Sequence, residues 1–220
     1  MKKIVGLLTG VILSAGSFAQ VQIGIQGTGN LATAQIKFEE LLDYSKNMKA
    51  LPGGGIVAQI GINKSLAIRT GVNFLQHGVV LKATETGEID TKVKLENNLN
   101  YLQVPVNVLF RAPLPGITLY VGGGGFFNYG ISGKSKYTVT YTVPGGDDIV
   151  ESEKVDAFKK EQDGGAGLKK TDYGISALAG IQFGKLFANV GYQLSLANIA
   201  EAEVGEYKNR GLQLTIGAFF

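Results

Sequence analysis

Hydrophobic and polar residues alternate at the C-terminal end of the chain. Leu212, Leu214 and Ile216 fall on one side of the pattern, and Gln213 and Thr215 fall on the other. Successive side chains of a β-strand point to opposite faces, so this pattern predicts a strand with one apolar and one polar face. A soluble sandwich would bury the apolar face in a dry core. A transmembrane barrel would turn it to lipid and keep the polar face for its lumen.

Seven other segments repeat this alternation with the same polarity. The predicted strands cover residues 21–28, 56–63, 66–74, 101–110, 117–131, 172–183, 186–196 and 211–220. Most have the roughly 9–11 residues that a tilted strand needs to cross a bilayer. Short turns follow the second, fourth and sixth strands, and longer polar loops follow the others, which is the outer-membrane pattern. The sequence therefore predicts an all-β fold, an up-and-down, eight-stranded antiparallel transmembrane β-barrel with short periplasmic turns and long external loops.

Aromatic residues lie on the apolar faces near both ends of these strands. They are Phe110, Phe183 and Phe220 at the periplasmic ends, and Phe74, Phe127, Tyr129 and Tyr173 at the external ends. Two such girdles are typical of strands that meet lipid headgroups at both interfaces. Aromatics also pack soluble cores, but a lipocalin-like barrel turns its apolar face inward and needs no alternation of turns and loops.

The N-terminus predicts export. Lys2 and Lys3 precede a mostly apolar run over 4–15, and Ser17-Phe18-Ala19 forms a small-x-small cleavage site. These features predict a signal peptide over 1–19 and an outer-membrane barrel domain over 20–220. A transmembrane anchor usually needs about 20 apolar residues. The chain contains no cysteine, which excludes a lipid-anchored lipoprotein and any thiolate or Cys–metal chemistry.

Charge and composition say little about partners. The formal charge of +3 includes Lys2 and Lys3, so the mature chain carries 3 − 2 = +1, which is too little to indicate nucleic-acid binding. We expect no cofactor, a monomer, and outer-membrane lipid and lipopolysaccharide as partners. The strand that ends at Phe220 resembles the closing strand that outer-membrane proteins present to the barrel-assembly machinery.

The predicted lumen is closed. Eight strands enclose an interior that side chains largely fill. The inward positions include four aromatics and three long polar residues: Tyr120, Phe126, Phe187, Phe219, Arg69, Gln182 and Gln213. A diffusion pore is therefore not expected. Arg69 is expected to pair with a carboxylate or to cap polar groups such as Gln59 and Asn107, because a buried charge needs partners.

Several motifs resemble one family. Tyr101-Leu102-Gln103-Val104-Pro105 is similar to the Tyr-Leu-x-[Ile/Val]-Pro segment of PorT-like outer-membrane β-barrel proteins, common in Bacteroidetes. The glycine-rich run 122–130 resembles that family's fifth strand, and 180–184 and 209–214 are also similar. The resemblance covers nearly the whole mature chain. It implies a structural barrel, and no catalytic residue comes with it. The name-giving member is tied to protein secretion, a role that these motifs do not carry over.

One histidine raises the alternative of an enzyme. Outer-membrane barrel proteases and lipid-A acylases or deacylases use a His with Ser, Asp or Glu near the external rim. His77 is predicted there, as a solvated rim residue, and the candidate partners are Ser132, Ser135, Asp147, Asp148 and Glu85. No spacing joins them. We therefore expect no catalytic or metal site and an unidentified ligand-binding site. The predicted function is that of a non-enzymatic barrel with a structural or surface-interaction role, whose external loops are the expected binding surface; the alternative is a rim enzyme near His77 that acts on lipid or peptide.

Two loops have features of their own. Phe38, Leu41, Leu42 and Ser45 show helical spacing and predict a short helix before Pro52-Gly53. In the longest loop, alternation continues to Val143 and can return over 149–155, which predicts a projecting hairpin. The same loop carries five acidic residues without the pattern of a calcium loop: Asp147, Asp148, Glu151, Glu153 and Asp156. A solvated loop is expected there, with weak divalent-cation or lipopolysaccharide contact as the alternative.

Overall fold

The computed structural model describes residues 20–37, 44–85, 90–142, 147–201 and 205–220. The predicted signal peptide lies outside the described residues. The strands are β1 (Gln20–Lys37), β2 (Tyr44–Asn47), β3 (Lys49–Gly61), β4 (Leu66–Glu85), β5 (Asp90–Leu114), β6 (Ile117–Thr142), β7 (Ile149–Asp156), β8 (Thr171–Phe183), β9 (Leu186–Ser195) and β10 (Glu206–Phe219). Within the described part, the one helical segment is a 3₁₀ turn at Glu161–Asp163.

Eight of the strands close into a ring. Each is antiparallel to its neighbours in the order β1-β3-β4-β5-β6-β8-β9-β10, and β10 pairs with β1 from Gly24 opposite Phe219 to Lys37 opposite Glu206. Closure satisfies the backbone groups that an open sheet edge would leave unpaired. The all-β, eight-stranded antiparallel barrel predicted from the alternation is confirmed.

The inside and the outside of the barrel follow the predicted faces. Val106, Val121 and Ile216 are 52 %, 56 % and 64 % exposed on the outer wall, whereas Tyr120 and Phe219 are buried inside. All seven predicted girdle aromatics are exposed on the outer wall. They bound an apolar belt, whose turn end carries Phe110, Phe183 and Phe220 and whose loop end carries Phe74, Phe127, Tyr129 and Tyr173.

The strands are longer than the alternation in the belt indicates. β5 and β6 have 25 and 26 residues, and with β4 they continue well past the loop end of the belt. Two short strands join this extension: β2 pairs with the distal part of β4, and β7 pairs with the distal part of β6. A bulge lies beside Asn100 and Tyr101, near the loop end of the belt. Much of what the sequence predicts as external loop is therefore sheet.

Residues above the belt have a hydrophobic core of their own. It is built from inward-facing strand residues and from the segments that follow β7 and β9: Ala34, Ile36, Val79, Leu81, Leu99, Tyr101, Ala157, Leu168, Ile199, Ala200 and Tyr207. Phe158 packs against this cluster, with its ring 5.8 Å from that of Tyr101. We call the strand extensions and these two covering segments the external platform. Its core shows that the loop end is folded structure closing the top of the barrel.

Two predictions about the loops have different outcomes. The projecting hairpin is confirmed, because β7 returns beside β6 with Tyr141 opposite Ile149; the connection over 143–146 lies outside the described residues. The predicted helix is wrong for Ser45, which lies in β2 and pairs with Lys82. Backbone pairing with β4 decides that position against the local helical spacing. Residues 38–43 lie outside the described part.

Close approach inside the barrel explains two of its glycines. A Cβ at Gly217 would lie 2.3 Å from the Phe187 ring, and one at Gly180 would lie 2.7 Å from the Tyr120 ring and 2.3 Å from the Ala188 carbonyl oxygen. The inward aromatics therefore occupy the space that a side chain on the neighbouring strand would need. This is how a narrow lumen holds large rings.

Candidate functional site

Arg69 forms a plug in the half of the lumen nearer the turn end. Its Nε and Nη2 donate to Gln59 Oε1 at 3.0 and 2.6 Å, and its Nη1 donates to the Tyr120 hydroxyl at 3.1 Å. The guanidinium carbon also lies 4.5 Å from the Tyr120 ring centre and 4.7 Å from that of Phe187. Phe219 closes the other side at 5.8 Å. Cation–π contacts and hydrogen bonds together compensate a buried charge.

The prediction for Arg69 is correct in part. Gln59 is its partner, as expected, but no carboxylate among the described residues pairs with it. Asn107 does not cap Arg69; its Oδ1 accepts a 2.7 Å hydrogen bond from the Ser176 hydroxyl. The aromatic faces take the place of a carboxylate because Tyr120, Phe187 and Phe219 all point inward at this level.

A small cavity lies above the plug. It measures about 60 Å³ and is lined by Asn73, Asn107, Gln193, Gln213 and Thr215 among others. That volume holds about two water molecules, at roughly 30 Å³ each. Above it, Gln103 donates to Asn128 and to Gln193, each at 3.0 Å. Apart from this small cavity, the plug below and the polar layer above fill this part of the lumen with side chains.

A buried carboxylate organises the next layer. Asp172 is fully buried, and its Oδ2 accepts hydrogen bonds from Ser195 at 2.9 Å, Asn209 at 3.0 Å and Asn128 at 3.2 Å. The four residues come from four strands, β6, β8, β9 and β10. Such a network fixes the relative register of the strands, because each donor reaches the carboxylate in one alignment only.

His77 does not lie on a solvated rim. It is 1 % exposed inside the barrel, and its ring meets Tyr101 edge-on at 5.8 Å. β4 continues eight residues beyond it to Glu85, and the external platform covers it. Neither ring nitrogen has a hydrogen-bond partner among the described residues. The prediction of a rim histidine is therefore wrong, because the strand was expected to end near Phe74.

The candidate partners of His77 do not converge on it. Ser132 is exposed and accepts a 2.8 Å hydrogen bond from Asn100. Ser135 is buried and faces Asn97. Asp147 and Asp148 are exposed. Glu85 lies at the end of β4, eight residues along that strand from His77. The structure thus brings together none of the pairs that a rim enzyme would use.

The outer wall of the platform carries a basic face that the sequence reasoning missed. We define it by six lysines above the belt on β3 to β7: Lys49, Lys82, Lys94, Lys134, Lys136 and Lys154. Lys82 pairs in register with Lys94, and Lys136 pairs with Lys154. Like charges directly opposite one another are destabilising in a sheet. Two such pairs side by side indicate a surface suited to anions.

Acidic residues offset this face only in part. Glu96 forms ion pairs with Lys49 and, at 3.2 Å, with Lys94, and it lies opposite Lys136. Hydrogen bonds from Lys49 and then Lys94 hold the pKa of Glu96 below its ordinary value. Asp156 lies opposite Lys134. Six lysines and two carboxylates leave 6 − 2 = +4. Near the tip, Lys92 and Asp90 add one charge of each sign.

The described residues hold no group of three or more His, Asp or Glu side chains placed to bind a metal ion. The acidic stretch is divided: Glu151, Glu153 and Asp156 lie in β7, and Asp147 and Asp148 precede it. In the described part of the chain, no helix is both long enough and apolar enough to cross a membrane.

Comparisons with solved structures give outer-membrane proteins at low similarity. The alignment with Neisserial surface protein A (NspA) covers 93 % of this chain and 100 % of NspA, at 13 % identity and a TM-score of 0.39. The alignment with Ail, the attachment invasion locus protein of Yersinia pestis, covers 90 % of this chain and 99 % of Ail, at 15 % identity and a TM-score of 0.36. The alignment with the outer membrane protein OprG from Pseudomonas aeruginosa covers 91 % of this chain and 92 % of OprG, at 8 % identity and a TM-score of 0.34.

No curated protein sequence matches the chain. The sequence profile of the outer membrane protein beta-barrel domain matches residues 18–201, which is most of the chain. The profile agrees with the closed eight-stranded ring, the lipid-compatible outer wall and the two aromatic girdles. The chain therefore belongs to the family of outer membrane β-barrel domains and resides in the outer membrane.

Proposed function

We propose that this protein is a non-enzymatic surface barrel whose external platform binds anionic lipopolysaccharide. The observation that carries the proposal is the basic face, where lysines oppose lysines in register on rigid strands directly above the apolar belt. Phosphates of the outer leaflet would lie beside this wall. A lysine near an anionic surface contributes about 1 kcal/mol.

The folded lumen supports a binding role over transport. Arg69, its aromatic partners and the Asp172 layer fill the interior at two levels, and the platform core covers the top. His77 is buried and has no hydrogen-bond partner in the described part of the chain, so it gives no support to a rim enzyme. The proposal therefore places function on the outer wall and takes the lumen as structural.

A sequence segment in β5 bears on which part of the family this chain joins. We propose a PorT-like member, as Tyr101-Leu102-Gln103-Val104-Pro105 suggests; the segment begins at the bulge of β5. We propose further that the protein is monomeric and that the strand ending at Phe220, which is 75 % exposed, is read by the barrel-assembly machinery.

The test measures lipopolysaccharide binding by the mature protein reconstituted in neutral phosphatidylcholine vesicles. Lys82→Gln with Lys94→Gln removes one opposed pair. Lys64→Gln with Lys185→Gln removes the same charge from exposed turns at the other end of the barrel. We expect the first variant to bind about tenfold or more weakly, with binding that also falls as salt rises, and the second to bind like wild type. Equal losses in both variants would reject the basic face as the binding surface.

A further inference from the structure

The external platform contains a cavity that is separate from the basic face. It measures about 190 Å³ and lies on the inner side of the strand extensions, among β1, β5, β6, β10 and the covering segments. Ile36, Leu95 and Leu168 form apolar walls. Ile36 and Leu168 are 5 % and 7 % exposed, so these walls belong to the platform core and are not surface grooves.

One side of the cavity is polar and incompletely hydrogen-bonded. Asn97 and Ser135 lie directly opposite each other on β5 and β6, are 4 % and 0 % exposed, and both line the cavity. Asn97 Oδ1 and Ser135 Oγ have no hydrogen-bond partner among the described residues. The Asn97 side chain also approaches the hydroxyl of buried Tyr207 from β10. Buried polar groups are nearly always hydrogen-bonded, so this pair has hydrogen-bonding capacity left for a molecule in the cavity.

We propose that this cavity binds a small uncharged molecule made of one ring that carries a hydroxyl or carbonyl group. The volume sets the size, because an engineered protein cavity of about 150 Å³ accommodates benzene, whereas drug-sized ligands need about 300–1,000 Å³. The apolar walls take the ring. Asn97 and Ser135 take the polar substituent.

The charge of the ligand follows from the lining. Its one carboxylate is that of Glu206, which is paired with Lys208 at the solvent edge. No lysine or arginine lines the cavity, so a charged ligand would be buried without a counter-ion, which is costly. This site lies beyond the proposed function, since it faces inward while the basic face lies on the outer wall of the same strands.

Phenol and benzene are the probes, because they share a ring and differ in one hydroxyl. Binding is measured from amide chemical shifts of residues 97, 135 and 207 of the mature protein in lipid nanodiscs. Phenol is expected to bind with a Kd of about 1 mM, as for a ligand of few atoms. Benzene is expected to bind about tenfold more weakly, since it leaves both polar groups unpaired.

Three variants separate the walls from the polar side. Asn97→Leu keeps the volume and is expected to weaken phenol binding about tenfold without weakening that of benzene. Ala166→Phe, in the covering segment that lines the cavity, should fill it and abolish both. Ser132→Ala, exposed on the same strand as Ser135, should change neither. Absence of saturable shifts at millimolar phenol, or equal binding by wild type and Ala166→Phe, would show a cavity that holds ordered water only and would overturn the proposal.

Discussion

Arg69 and Gln59 lie directly opposite each other on β4 and β3, and two guanidinium nitrogens share the single side-chain oxygen of Gln59. A buried cation here is compensated by a neutral amide and by the faces of Tyr120 and Phe187. Removal of one partner should therefore cost more than removal of both.

A double-mutant cycle measures this coupling. Gln59→Leu leaves the Arg69 charge without its two shortest hydrogen bonds and should lower the free energy of unfolding by about 2–4 kcal/mol. Arg69→Met should cost about 1–3 kcal/mol because it leaves Gln59 Oε1 unpaired. The loss of unfolding free energy in the combined variant should be well below the sum of the two single losses, as measured by urea unfolding in lipid vesicles. Additive losses would show that the pair is not coupled.

Charge in the apolar belt should cost far more than charge near the projecting hairpin. Val106→Arg and Ala179→Arg place a guanidinium in the apolar belt, where both residues are exposed, and should lower the free energy of unfolding by about 2–4 kcal/mol. Asp148→Arg, exposed beside β7, should be nearly neutral. Equal free energies of unfolding for the three variants in the same vesicles would contradict the assignment of the apolar belt to lipid.

The filled lumen should not conduct. Planar-bilayer recordings of refolded protein should show no steady unitary conductance, because Arg69, Tyr120 and Phe187 close one level and the Asp172 layer closes another. Phe187→Ala should add only occasional leak, and Phe183→Ala on the outer wall should add none. Reproducible unitary steps in the wild type that narrow on Gln182→Arg would establish transport instead.

Two glycines of opposite orientation provide a packing test. Gly180→Ala would bring Cβ to 2.3 Å from the Ala188 carbonyl oxygen, whereas a Cβ at Gly27 meets nothing within 4 Å. We expect the first substitution to lower the free energy of unfolding by about 1–3 kcal/mol, as for overpacking elsewhere. Gly27→Ala should stay within about 0.5 kcal/mol of wild type. Similar values for the two would show that the Tyr120 side of the lumen relaxes freely.

The Glu96 carboxylate should weaken anion binding by the basic face. Its carboxylate bridges Lys49 and Lys94, and its lowered pKa keeps it ionised at neutral pH. Glu96→Gln should strengthen lipopolysaccharide binding several-fold, since it raises the charge of the basic face by one. Glu201→Gln, a change of equal charge after β9, serves as the control. Weaker binding by Glu96→Gln would mean that the carboxylate orders the lysines more than it opposes the anion.

The sequence alone determined which side of each belt strand faces lipid. Val106 and Ile216 point outward and Tyr120 and Phe219 point inward because the side-chain period of a strand is two, and period and turn spacing are local properties of the chain. The same reasoning identified Arg69 as a lumen residue and included Gln59 among its expected partners. Local pattern was sufficient wherever the environment differed sharply between lipid and lumen.

Only the tertiary structure decided what lies above the belt. There the outer wall faces water, so Lys82, Lys94 and Lys136 alternate with residues such as Val93 and Tyr137 and are easily taken for a polar loop. Register across β4, β5, β6 and β7 makes the lysines neighbours, and burial of His77 depends on segments 80 residues or more away that cover the barrel. Pairings between distant strands are set by closure of the ring, and no local pattern encodes them.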